Sequence, residues 1–373
     1  MDFSFTEEQQ MLRDSVSRVL DKTYDFKARQ ILVDSDKPWS AEVWTQFAEL
    51  GLLALPFSEE AGGLGGSIVD VVAIAESFGD HLLVEPYLSS ILLGGQALAL
   101  SDHDIARDWL AKIIAGEAIT AFAHEEARGT PAPEFVTLGA QQSGGNYFLD
   151  GGKRLVLNGA EADILVVSAR LSGVAGEKPG LALMVVDAKA DGIDITSFQT
   201  IDGRSAAHIR FDKVQVSAEQ LLSADAHALL VTVTNDAIIA LCAEAVGIMA
   251  ALLRATSEYT ATRKQFDVPI SSFQVIAHRL ADMKIAYMKA RSSLYYTTAL
   301  AEAGQATDRD LAVLKGQIGK LGRAIGEAAI QSHGGVGMTD ELVIGHYHKR
   351  LIAIDKMFGD SEYHFRKIGQ ISE

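Results

Sequence analysis

Arg263-Lys264-Gln265-Phe266 and Gln331-Ser332-His333-Gly334-Gly335-Val336-Gly337 stand out from the rest of the chain. Each closes a long helical pattern, and Gln331 lies 68 positions after Arg263. The first offers a guanidinium fork, the side-chain amide of Gln265 and the aromatic face of Phe266. The second offers the amide of Gln331 and a turn at Gly334-Gly335 almost bare of side chains, where backbone N–H groups can approach a bulky anion. A diphosphate joined to a flat heterocycle calls for this mixture of bidentate charge-assisted bonds, backbone donors and a stacking surface. Taken singly, each stretch has a plainer reading. An Arg at a helix end compensates the helix dipole, and a Gly just after a helix caps it.

Outward from these stretches, the sequence from about 224 onward has a helical period. Ser271 with Gln274 reads as the cap of a helix running to Ala303, roughly 32 residues and ~48 Å long. Thr307 with Asp310 reads as the start of another, in which Gly316, Gly319, Gly322 and Gly326 fall within one ~120° sector. A mid-helix Gly costs ~1 kcal/mol relative to Ala. Such a stripe therefore predicts a second helix packed at close range, the alternative being a loose helix. The apolar runs near 226–253 carry Asp, Asn and Glu, which predicts buried helix and not a membrane span.

Upstream the period changes. Ile119–Ala123, Tyr147–Leu149, Arg154–Leu157, Ile164–Ala169, Leu181–Val186 and Ala207–Phe211 are short β-rich runs. Asp150-Gly151 reads as a hairpin turn, and Gly173, Gly176 and Gly180 punctuate another connection. Residues 1 to about 117 read as helical again. Thr6 with Gln9 makes a capping box ahead of a stripe of Met11, Leu12, Val16, Val19 and Leu20. Further helices are expected near 40–50, 66–79 and 87–116. The cluster from Gly62 to Gly66 is a loop, with neither the preceding strand nor the spacing of a dinucleotide fingerprint. The expected organisation is an N-terminal helical domain (1–117), a middle antiparallel β-barrel or sandwich (118–222) and a C-terminal helical bundle (223–373).

Bulk properties narrow the function. The 373 residues exceed what one core of ordinary size holds, and 48% hydrophobic against 22% charged residues marks a globular chain. A net charge of −16 argues against nucleic-acid and anionic-membrane partners, while leaving room for one phosphorylated cofactor in a locally basic cleft. One cysteine, Cys242, allows no intrachain disulfide and reads as inert core, and the first residues carry no signal-peptide pattern, so a cytoplasmic location is expected. His346 and His348 have an i, i+2 spacing that separates their rings on a helix, so no metal site is expected. His333-Gly334-Gly335 has the look of an oxyanion loop, but the chain holds no Gly-x-Ser-x-Gly nucleophile. Lys349 and Arg350 read as a solvated or interfacial cation pair.

With these residues in view, the chain resembles the acyl-CoA dehydrogenase family from Phe3 to about residue 368. Phe47–Pro56 followed by Glu59-Glu60-Ala61-Gly62-Gly63 resembles the family's early helix and Glu-Glu-x-Gly-Gly loop. The resemblance implies an α–β–α fold, FAD as cofactor, an acyl-CoA thioester as substrate and an electron-accepting flavoprotein as redox partner. It assigns Arg263, Gln265, Phe266, Gln331, Gly334 and Gly335 to the diphosphate and adenine end of FAD, usually across a subunit interface. The reaction removes the α-proton of the thioester while a hydride leaves Cβ for the flavin, so it needs a carboxylate over Cα.

That carboxylate is missing from both family positions. The C-terminal Tyr-Glu-Gly-Thr-like motif is matched by Met357-Phe358-Gly359-Asp360-Ser361, which puts Gly359 where the Glu stands. The alternative position on an earlier helix falls at Ala237, with Ile238 beside it. Asp360 and Asp236 are the neighbouring acids and the candidate bases. The Thr-Glu-Pro-x-x-Gly-Ser run that bonds the flavin ring is matched by His124-Glu125-Glu126-Ala127-Arg128-Gly129-Thr130. Trp-Ile-Thr-Asn is matched by Leu155-Val156-Leu157-Asn158. The phosphate end of the FAD site is thus retained and the ring end altered.

Glu85-Pro86-Tyr87-Leu88 and the Arg263 stretch resemble small subunits of heteromeric acyl-CoA dehydrogenases, such as that of pimeloyl-CoA dehydrogenase. Pairs of this kind also act on sterol side chains, so the acyl group stays open. The leading expectation is a subunit completed by a homologous larger partner in an α2β2 assembly. The alternatives are a self-sufficient homotetramer using Asp236 or Asp360, and a non-enzymatic scaffold on the same fold. A flavin-dependent oxygenase or nitroalkane oxidase would share that fold without needing CoA.

Overall fold

Capping chemistry sets several of the helix starts. In the computed structural model, which describes residues 5–35, 37–126 and 131–371, the side chains and backbone N–H groups of Thr6 and Gln9 exchange bonds to open α1 (Glu7–Thr23). Val16 and Leu20 of the expected stripe are buried, whereas Met11 is 68% exposed. α2 (Phe26–Val33) and α3 (Ala41–Glu49) follow, and Ser67 with Asp70 boxes the start of α4 (Ile68–Asp80). The expected helix over 87–116 is in pieces. A buried π-helical segment, Tyr87–Gly95, runs into α5 (Gln96–Ala99), and α6 (Asp104–Ile114) begins after a break at 100–103.

By its contacts the chain divides into two units. One gathers the chain up to Gln30, Ser67–Leu83 and the chain from Ile238 on; the other gathers Ile31–Gly66 and Val84–Ala237.

The second unit is built on an eight-stranded sheet. Its strands are β1 (Thr120–Ala123), β2 (Gly139–Ser143), β3 (Asn146–Leu157), β4 (Ile164–Arg170), β5 (Leu181–Asp187), β6 (Ile193–Gln199), β7 (Ser205–Ser217) and β8 (Leu221–Ser223). Their order is β6-β7-β3-β2-β4-β5-β8, with β1 beside β4. The expectation of a purely antiparallel sheet needs correction, because β1 and β2 each pair with β4 in parallel. The chain reverses at the β2–β3 hairpin and again between β3 and β4, so that β4 runs in the direction of β2. The expected turn at Asp150-Gly151 also needs correction. The hairpin turns at Gly144-Gly145, both at positive φ, while β3 runs straight through 150–151. Gly151, at φ +142°, sits instead where the β3–β7 register shifts. A bulge uses the same conformational freedom as a turn, so the dipeptide alone does not separate them.

The first unit holds most of α7 (His227–Thr262), the two-residue strands β9 (Lys264–Gln265) and β10 (Val268–Pro269), α8 (Gln274–Glu302), α9 (Asp308–His333), α10 (Val343–Lys356) and α11 (Ser361–Ile371). α7 is long and apolar enough to cross a bilayer, but 83% of its most apolar window is buried inside the chain. Ser271 does not cap α8, in correction of the expected box. It lies in a 3-10 turn, Ile270–Ser272, and Phe273 takes the N-cap position without a side-chain bond. The box at Thr307 and Asp310 does open α9.

All four stripe glycines of α9 are packed. A Cβ on Gly316 would lie 3.0 Å from the Phe365 ring, and one on Gly322 within 3.2 Å of Met249 and Leu351. At Gly319 and Gly326 it would run into the Asp355 carboxylate and the His348 imidazole. α4 and α7 cross by the same device: a Cβ on Gly79 would meet the Glu244 carbonyl, and one on Gly247 that of Glu76.

Arg350 also departs from expectation. It is buried, and its Nε and Nη2 donate to both carboxylate oxygens of Glu244 at 2.7 Å. Burying a guanidinium is costly unless every face is paired, and a bidentate carboxylate supplies that pairing. Lys349 beside it stays on the surface against Asp340 at 2.8 Å. Cys242 is buried as expected, its thiol pushed up to about 12 by desolvation.

Candidate cofactor clamp and active site

α7 ends at Thr262, and Arg263 is the first residue beyond it. The next residues form a minimal hairpin, Lys264–Gln265 against Val268–Pro269, whose turn holds Phe266 and Asp267 at φ +54° and +64°. This left-handed pair thrusts the Phe266 ring outward at 87% exposure, edge-on to Phe273 with centroids 6.3 Å apart. Left-handed φ in a non-glycine residue is strained, and such strain gathers at binding turns. Arg263 is exposed, and its side chain makes no hydrogen bond or ion pair among the described residues. Gln331 is exposed too, in the last turn of α9. Gly334 then takes φ +67°, and among the described residues nothing lies within 4 Å of where a Cβ would stand on Gly334 or Gly335.

The two motifs meet through Tyr259 and His333. The ring of Tyr259, one helical turn before Arg263, stacks on His333 with centroids 4.3 Å apart and planes 26° apart. Its hydroxyl donates to the His333 carbonyl at 3.4 Å. A Tyr four residues before an Arg on a helix, and a His next to a glycine pair, are the only hints of this in the sequence. Free guanidinium and amide donors, a bare glycine turn and an exposed ring on one unit fit a nucleotide diphosphate.

The two acids near the expected base positions differ sharply. Asp360 accepts from Lys356 Nζ at 2.7 Å and from the Tyr363 N–H at 2.9 Å, at the start of α11. The Lys356 bond leads in holding its carboxyl below the usual range. Asp236, on α7, is half-buried with no hydrogen-bond or ion-pair partner among the described residues, and desolvation pushes its carboxyl up to about 6. Ala237 and Ile238 beside it are buried.

Gly359 lies in the turn between α10 and α11 at φ +93°. A Cβ there would sit 2.5 Å from the Tyr363 ring and 3.1 Å from His364 Nε2. The wholly buried Lys315 holds this turn, donating to the carbonyls of Asp355 and Gly359 at 2.9 Å each.

In the sheet unit, the run expected against the flavin ring is built around a buried lysine. Lys153 Nζ donates to Glu126 Oε1 at 2.6 Å, to Ser168 Oγ at 3.0 Å and to the His124 carbonyl at 3.1 Å. Burial pulls the Lys153 ammonium down to about 8 against the opposing pull of Glu126. Despite its own burial, Glu126 is held below the usual carboxylate range by Lys153. His124 Nδ1 meets Ser168 Oγ at 2.9 Å, and desolvation lowers its imidazole to about 3. Arg128, Gly129 and Thr130 of the same run lie outside the described residues. Leu155 stands at φ +50° within the second β3–β7 register shift and is 41% exposed, while Asn158 Oδ1 accepts from Ser89 Oγ at 2.7 Å.

Comparison with known proteins decides the family. Sequence models for the acyl-CoA dehydrogenase N-terminal, middle and C-terminal domains match residues 6–117, 120–214 and 229–372. The chain belongs to the acyl-CoA dehydrogenase family. This acyl-CoA dehydrogenase is 26% identical to acyl-CoA dehydrogenase FadE27 of Mycobacterium tuberculosis, over 99% of this chain and 98% of that one. It is 29% identical to FadE28 of the same organism over the same shares. Among solved structures, a chain of the ChsE4–ChsE5 complex from Mycobacterium tuberculosis superposes with a TM-score of 0.91 at 26% identity, covering 100% of this chain and 99% of that one. The acyl-CoA dehydrogenase fold and the oxidoreductase class expected from the sequence are thereby borne out, and FAD is the cofactor of the family.

Proposed function

We propose that this chain is the base-deficient subunit of a heteromeric, FAD-dependent acyl-CoA dehydrogenase that desaturates a thioester between Cα and Cβ. The observation that carries the reading is Gly359: the family's carboxylate position is occupied by a left-handed glycine packed against Tyr363. The position is remodelled as well as vacated, since a side chain there has neither a relaxed backbone nor room.

In this assembly Arg263, Gln265 and Gln331 would bind the diphosphate, with Gly334 and Gly335 letting it approach the backbone and Phe266 lying against the adenine. FAD supplies the hydride acceptor when bound. The Lys153 ammonium, in the run matched to the family's ring-binding segment, spends its bonds on Glu126, Ser168 and the His124 carbonyl, which supports a flavin ring held elsewhere. The ring then belongs to a homologous larger subunit, which also supplies the base, in an α2β2 arrangement. The likeness to a chain of the ChsE4–ChsE5 complex supports assembly with a different partner chain. A cytoplasmic setting accords with the single buried Cys242, and electrons would pass to an acceptor flavoprotein. The free donors at Arg263 and Gln331 count against a purely scaffolding role.

One observation favours a second reading. The unpartnered Asp236 carboxyl, at about 6, has the character of a general base near neutral pH, so a self-sufficient homotetramer would use Asp236 and not Asp360. Flavin stoichiometry separates the two. The heteromer contains one FAD per pair of chains and the lone chain retains little; the homotetramer contains one FAD per chain on its own.

A further inference from the structure

We propose that Tyr259 and His333 are positioning residues for the cofactor: their stack fixes the Arg263 end of α7 against the Gly334-Gly335 turn, so that both halves of the clamp reach one diphosphate. This inference deepens the proposed clamp and rests on it.

Arg263 and Gly334 follow the ends of two different helices, α7 and α9, and their own local structure does not set the distance between them. Tyr259 is in the last turn of α7, and its carbonyl accepts the Arg263 N–H at 2.8 Å. His333 is the last residue of α9 and is covalently next to Gly334. A stacked pair at 4.3 Å between centroids therefore links the two motifs at their nearest rigid points. Two hydrogen bonds fix the ring and the peptide. The His333 Nδ1–H donates to the Ala329 carbonyl at 2.8 Å, which sets the tautomer and the ring plane. The Tyr259 hydroxyl donates to the His333 carbonyl at 3.4 Å, which orients the peptide leading into Gly334. Beyond the turn, a Cβ on Gly337 would lie 3.0 Å from His333 Cβ, so the turn closes back against the same residue. Burial pulls the His333 imidazole below its ordinary range, which favours the uncharged ring. Multidentate anion recognition loses most of its advantage when the donors drift apart by about an ångström.

The test measures reconstitution of flavin-stripped protein, as the assembled complex, with FAD and separately with FMN, by quenching of flavin fluorescence. FMN lacks the AMP half and makes no use of a clamp for the diphosphate and adenine. Tyr259→Leu should weaken FAD about 10-fold and leave FMN within about 2-fold, so that the preference for FAD collapses. Tyr259→Phe keeps the ring and should stay within about 3-fold of the parent for FAD. His333→Leu, as an independent break of the same stack, should reproduce the effect of Tyr259→Leu. Unchanged FAD affinity in Tyr259→Leu and His333→Leu, or an equal loss for FAD and FMN, overturns the inference. Arg263→Ala in the same assay separates the two levels. If it weakens FAD while the stack variants do not, positioning alone is wrong; if it too has no effect, the clamp itself is wrong.

Discussion

The Cβ that any residue other than glycine would place at position 359 falls 2.5 Å from the ring of Tyr363. At φ +93° the backbone already disfavours a side chain, and the buried Lys315 holds that conformation by bonding the carbonyls of Asp355 and Gly359. Restoring the family's carboxylate is thus opposed by both backbone and packing. Gly359→Glu should destabilise the chain by about 2–4 kcal/mol, combining a left-handed residue with an overpacked ring contact, and should confer no dehydrogenase activity. Thermal denaturation and turnover of the variant check both parts. A variant as stable as the parent and newly active would show the position to be merely empty.

Arg263 presents its guanidinium to solvent with no partner among the described residues. Charge-assisted bonds to a diphosphate contribute roughly 1.5–3 kcal/mol each. Arg263→Ala should weaken FAD retention about 10-fold or more while far-UV circular dichroism stays unchanged, since no intrachain bond is lost. Unaltered flavin content would remove the support for this site.

The glycine stripe of α9 is a packing surface. Gly319 faces the Asp355 carboxylate, whose Oδ1 accepts the Ser361 N–H at 3.0 Å at the start of α11. Gly319→Leu must displace that cap as well as overpack the contact, at a cost of about 2–4 kcal/mol. An exposed helix would instead gain from better propensity. A fall in the thermal midpoint supports the packing, and a rise contradicts it.

His124 makes stability depend on pH on the acid side. Its folded pKa is about 3 against an ordinary 6.5, because burial, helped by Lys153, disfavours the imidazolium. The unfolded chain therefore takes up the proton first. The contribution is complete above pH ~6.5 and is lost progressively as pH falls toward about 3. His124→Gln should flatten this limb of a plot of denaturation midpoint against pH between roughly 6.5 and 4. An unchanged slope would show that the imidazole is solvated in solution.

Helix boxes at Thr6 and Thr307, the long C-terminal helices and the four-glycine stripe were legible because each signal is local and periodic. The strand topology was less so. Asp150-Gly151 satisfies hairpin chemistry and bulge chemistry equally, and only the pairing of β3 with β7 decides between them. Arg350 looked like a surface cation since its partner, Glu244, lies 106 positions away on another helix. In the clamp, Arg263 and Gln331 were visible as free donors. Tyr259 and His333 were not, because a stacked pair has no spacing signature when its members sit on different helices. Asp236 and Asp360 were equal as neighbours of vacant positions, and it is their bonding that separates them.

Steady-state dye reduction with a panel of acyl-CoAs distinguishes a base-deficient subunit from a self-sufficient enzyme. The purified chain is measured alone, then co-expressed with a homologous subunit that carries the catalytic glutamate, with Asp236→Asn and Asp360→Asn variants of this chain in parallel. A base-deficient subunit gives negligible turnover alone, restored turnover in the pair, and no more than about a 3-fold effect of either variant on the pair, against the ~10²–10⁴ expected for loss of a general base. Robust turnover by the chain alone, rising with pH through about 6 and abolished by Asp236→Asn, would contradict it and identify Asp236 as the base.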